Sequence, residues 1–123
     1  MRKKTKFLRV YNLIAFGLLS APLYAQVDPS LYEQVQAIFN NENHACMKCH
    51  APDDRKPFPE TEAEWFAEDS KWISADRDPE TSLIYTELRG NGGDMPPRRY
   101  VPLDDAEREK IAEWIRNGPS QTE

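Results

Sequence analysis

Two cysteines are all that this chain of 123 residues has, and both stand in one short run, Cys46-Met47-Lys48-Cys49-His50. A disulfide between them would be a redox dithiol, but the chain lacks the βαβ pattern that accompanies that use. A zinc site from His44, Cys46, Cys49 and His50 has suitable ligand types. Its spacing is poor, because adjacent Cys49 and His50 cannot easily both turn inward and zinc ligand pairs come from separated segments. Strand alternation, internal repeats and nucleic-acid motifs are also missing. No apolar run reaches the about 20 residues of a membrane span. The nearest approach, residues 10–25, is interrupted by Asn12, Ser20 and Pro22.

Positive charge is scarce outside the start of the chain. Arg2, Lys3, Lys4, Lys6 and Arg9 fall in the first 25 residues, which hold no acid, so residues 26–123 carry eleven bases against 21 acids, a net charge of −10. Such a surface repels nucleic acid and anionic lipid and favours a basic partner, with rates that fall as salt rises. The plainer alternative is that acidity only keeps a small protein soluble.

What is present starts with an export signal. A basic start, an apolar stretch centred on Leu13–Leu19, and Leu23-Tyr24-Ala25 before Gln26 follow the order of a secretory signal peptide over residues 1–25. An uncleaved segment would instead be an anchor, the one route by which the chain would meet a membrane.

Cys46-x-x-Cys49-His50 is the c-type haem attachment signature. Two thiols add across two vinyl groups of one haem, so they sit about one helical turn apart, and the next histidine falls under the ring to ligate iron. Export supports this reading, since covalent haem attachment in bacteria belongs outside the inner membrane.

Helices predicted around this run are short. Asp28-Pro29 caps and opens the first, with Leu31, Val35, Ile38 and Phe39 on one face. Thr61-x-x-Glu64 is a capping box before Trp65 and Phe66. Trp65, Phe66, Trp72 and Ile73 fill the core or cover haem edges. Asp78-Pro79 opens a helix to about Leu88, with Leu83, Ile84 and Leu88 inward and Gly90 as its stop. Asp104-x-x-Glu107 starts the last, with Ile111, Trp114 and Ile115 on one side and Gly118-Pro119 at its end. Four short helices and long loops give little core, and a buried haem supplies the missing apolar mass.

The polar, proline-rich loop after His50 offers a carbonyl to its Nδ1, with Pro52 and Pro57 as the candidates. For the sixth iron ligand, Met47 is inside the attachment run and cannot cross the ring. Met95, braced in Gly92-Gly93-Asp94-Met95-Pro96-Pro97, is the distal candidate; its alternative is gap-filling. His44, tethered to the proximal side, reads as a surface or haem-edge residue.

With CMKCH, SLIYTELRG at 82–90, GGDMPP at 92–97 and IAEWIRNG at 111–118, the chain resembles the class I cytochrome c family and is particularly similar to the small planctomycete-type domains. The resemblance implies an all-α, monohaem cytochrome c domain over residues 26–123 in which the first and last helices cross. It implies that His50 and Met95 bind iron from opposite faces while Cys46 and Cys49 hold one haem c. Many members have glycine at the crossing, whereas Ala37 is the smallest residue of this first helix. The function expected is that of a periplasmic, monomeric one-electron carrier that docks on redox proteins with a basic face. The rival readings are a haem subunit fixed to a dehydrogenase or oxidase, and a five-coordinate haem enzyme or gas sensor.

Overall fold

The computed structural model describes residues 27–120, so the signal peptide expected over residues 1–25 lies outside the described residues. The described chain is all-α: α1 (Leu31–Phe39), α2 (Met47–His50), α3 (Glu62–Trp65), a 3-10 turn (Pro79–Thr81), α4 (Leu83–Thr86) and α5 (Asp105–Asn117). Among the described residues no strand forms, and none of their helices is long and apolar enough to cross a membrane.

Three capping boxes set where helices begin. Thr61/Glu64 and Asp104/Glu107 close reciprocally as the sequence predicts. At the first helix, Asp28 does not cap and Pro29 is not the first helical residue. Ser30 takes the cap, its Oγ accepting from the Glu33 N–H at 3.1 Å while Glu33 accepts from the Ser30 N–H at 2.7 Å. Two satisfied backbone donors outweigh one, which moves the start two residues on.

The helix expected from Asp78 to Leu88 is broken at Ser82. That residue is completely buried and extended, donating through Oγ to the Asp78 carbonyl at 2.8 Å and accepting from the Ser74 N–H at 3.0 Å. A hydroxyl that finds backbone partners of its own competes with the helical ladder. The outcome is the 3-10 turn followed by α4, capped at Glu87 before Gly90 is reached.

Helices α1 and α5 pack against each other. Val35, Ile111 and Ile115 are completely buried there, and Tyr32 stacks on Trp114 at 5.5 Å. Ala37 faces outward, so the smallest residue of α1 does not mark the contact. Trp114 also meets Phe66 and Trp65 edge to face, and its Nε1–H donates to Glu62 at 3.0 Å. That bond removes the cost of a buried indole N–H.

Candidate functional site

Between α2, α4 and the 92–103 loop lies a cavity of about 400 Å³, within the ~300–1,000 Å³ of cofactor and small-molecule sites. Cys46, Cys49 and His50 line it from the attachment run, and Met95 and Pro96 from the loop. All four residues singled out by sequence therefore border one space.

α2 is a single turn that places Cys46, its N-cap, beside Cys49 and His50. The two cysteines are not joined in a disulfide. Burial pushes the Cys46 thiol up to about 11, helped by nearby Glu107 and opposed by a backbone hydrogen bond. A thiol that remains protonated is a poor redox nucleophile. His44 is no more available, because both its ring nitrogens are engaged elsewhere.

The loop after α2 folds back on His50. The Ala51 N–H donates to Asp54 at 2.9 Å, and the Phe58 N–H donates to the His50 carbonyl at 2.9 Å. This curl carries the Lys56 carbonyl to 2.6 Å from His50 Nδ1. The carbonyls of Pro52 and Pro57 do not take that role. Pro57 biases Lys56 toward extended backbone and turns its carbonyl away from helical pairing. A carbonyl can only accept, so Nδ1 carries a hydrogen and neutral His50 presents its Nε2 lone pair. Phe58 stacks on the ring at 4.4 Å and 4°, and Trp72 meets it edge-on at 5.8 Å. Sequence reasoning passed over Phe58, although a bulky aromatic between Pro57 and Pro59 is a stiffly presented one. Trp65 is a core residue, whereas Trp72 lines the cavity.

Met95, which also lines the cavity, is 40 % exposed, and its backbone is tied to the chain after α4. The Met95 N–H donates to the Glu87 carbonyl at 2.8 Å, and the Arg89 N–H donates to the Met95 carbonyl. Gly93 lies against the Glu87 backbone where any Cβ would collide. Arg89 also donates to the Tyr100 carbonyl at 2.7 Å, fixing the far end of the loop. Exposed Lys56 and Lys71 line the same cavity.

Of the two roles expected of it, His44 is not a surface residue, but it does line the cavity. It is 3 % exposed, with Nδ1 2.8 Å from the Val101 carbonyl and Nε2 3.0 Å from Glu107 Oε1. Ala45, at φ 57°, turns the chain between it and Cys46. These partners stand 57 and 63 residues away along the chain, so no local pattern announces them.

The donor set fits a covalently held haem: two thiols, an imidazole whose Nδ1 is already taken, and a thioether line one cavity. A model of the family described as Cytochrome c matches residues 32–119, which include every residue named here as lining the cavity. No curated protein and no solved structure matches the chain. The match spans most of the chain and the cavity walls carry the donors that the family's cofactor requires, so the chain belongs to the cytochrome c family.

Proposed function

We propose that this chain is an exported, monohaem, one-electron carrier with Cys46 and Cys49 in thioether bonds to haem c and His50 and Met95 as the iron ligands. It is cut after Ala25, works in the periplasm as a monomer and is akin to the small planctomycete-type domains. The observation that carries the reading is the Lys56 carbonyl on His50 Nδ1, 2.6 Å away, in a cavity that Met95 also lines. Haem held there supplies an iron(III)/iron(II) couple.

The protein's part is to hold that couple still. Lys56 and Phe58 orient His50 and make it a stronger donor. The Glu87 and Arg89 backbone bonds hold Met95 opposite, and a thioether ligand raises the potential. With both positions filled, electron transfer needs little movement and no acid or base. The net charge of residues 26–123 favours a basic redox partner, so transfer rates fall as salt rises. A rate that rises with salt would mean that the chain and its partner repel each other, and would contradict a basic partner.

Periplasmic expression with haem-attachment machinery tests the reading. The expected product has the mass of residues 26–123 plus one haem, retained on denaturation and lost in the double variant Cys46→Ser/Cys49→Ser. Haem that dissociates on denaturation of the unmodified protein would overturn it.

A further inference from the structure

Both nitrogens of buried His44 face groups that cannot donate: a backbone carbonyl and a carboxylate. Such a ring is satisfied only as an imidazolium. Glu107 is held in turn, since its other oxygen accepts the Asp104 N–H at 2.9 Å in the capping box of α5. Val101 is bound on both sides: its N–H donates to the Asn43 carbonyl at 3.0 Å and its carbonyl accepts from His44. One residue of the methionine-bearing loop is thus sewn to the segment that leads into Cys46. From Val101 back to Met95 little is free, because Tyr100 is fixed by Arg89 and its N–H closes a turn on the Pro97 carbonyl at 2.9 Å.

We propose that His44, clasped between Val101 and Glu107, is a positioning residue that keeps the Met95 loop closed over the cavity opposite His50. The proposal rests on Met95 being an iron ligand, as argued above. The clasp holds the loop at its base, while the Glu87 and Arg89 bonds hold it near its tip. With the base released, Met95 yields its place to an outside ligand more readily.

The charges that reach His44 are those of Glu107 on α5 and of Asp104, the N-cap of that helix. Cys46, on its own segment, adds no charge, since the thioether it forms with haem in the holoprotein does not titrate. Burial opposes the imidazolium, and the Val101 carbonyl with Glu107 more than offsets it, so the group titrates above its ordinary value. The clasp is therefore closed at low pH and opens as pH rises through that raised value. Glu107→Gln reverses this. Its amide N–H donates to Nε2, Nδ1–H still donates to Val101, and a neutral ring closes the clasp, which now opens as pH falls.

The test is carbon monoxide binding to the reduced holoprotein across pH, since this probe does not itself titrate. Affinity in the unmodified protein is expected to rise with pH, by about tenfold or more. In Glu107→Gln it is expected to fall with pH, and in His44→Ala to be high throughout. An affinity independent of pH and unchanged in Glu107→Gln overturns the proposal, even if His44→Ala fails to fold. A nitrogen-15 spectrum of His44 on the low-pH side of the carbon monoxide transition should show two ring N–H groups, and a single one there also overturns it. If the oxidised unmodified protein lacks methionine ligation, the ligand assignment itself falls, which separates that failure from failure of the clasp alone.

Discussion

The two histidines stand six residues apart and flank the same cysteine pair, yet they are held in opposite ways. Both line the cavity, but His44 is buried and gives both ring nitrogens to protein acceptors, whereas among the described residues His50 gives only Nδ1, to the Lys56 carbonyl. The difference teaches which nitrogen the fold keeps in reserve. A histidine with both sides occupied joins segments, and one with a single oriented side is prepared to bind something the protein does not contain.

The comparison breaks most severely at His50. His50→Ala should abolish low-spin haem in the holoprotein, and an unchanged absorption spectrum would remove it from the iron. His44→Ala should keep covalent haem but lower stability by about 1–3 kcal/mol, because Glu107 and the Val101 carbonyl lose a buried partner. Urea unfolding of the holoprotein measures this, and no change would mean that the clasp holds nothing.

Acidity sharpens the contrast further. The folded His44 titrates above its unfolded value, so its contribution to stability is fully present below the unfolded value and is lost as pH rises through the folded one. The unmodified protein should therefore lose urea resistance over that interval while His44→Ala shows no such loss, and identical pH profiles would contradict it. Smallest of all is Lys56→Ala. His50 uses the carbonyl of that residue and not its exposed side chain, so stability should stay within about 0.5 kcal/mol. A larger loss would mean that the side chain, and not the backbone, fixes the ring.

How much of this was legible in the sequence depends on how far each interaction reaches. Cys46-x-x-Cys49-His50, the Thr61 and Asp104 capping boxes and the inner face of α5 are local patterns, and the structure keeps them. Ser30-x-x-Glu33 was equally local but competed with Asp28-Pro29, and only the closed pair of hydrogen bonds decides between them. Ser82 splits a predicted helix because its hydroxyl finds partners four and eight residues back. Lys56 owes its role to the curl of a loop, and His44 to partners brought from the far end of the chain. The all-α fold follows from periodicity and caps, whereas side chains whose partners arrive through tertiary structure follow from neither.

The site itself was legible in kind, since Met95 and the attachment run border one cavity. Of its supports, Trp72 was named as a residue of the haem edge or the core and lines the cavity, whereas Phe58 was passed over because it acts on His50 through space.

The most direct measurement is the absorption spectrum of the oxidised, periplasmically expressed holoprotein beside that of Met95→Ala. The account predicts a low-spin spectrum with the weak long-wavelength charge-transfer band of methionine-ligated ferric haem, the band being lost in Met95→Ala. A high-spin spectrum in the unmodified protein that shifts when the reduced form takes up carbon monoxide would remove Met95 from the iron and make an enzyme or gas sensor the better reading.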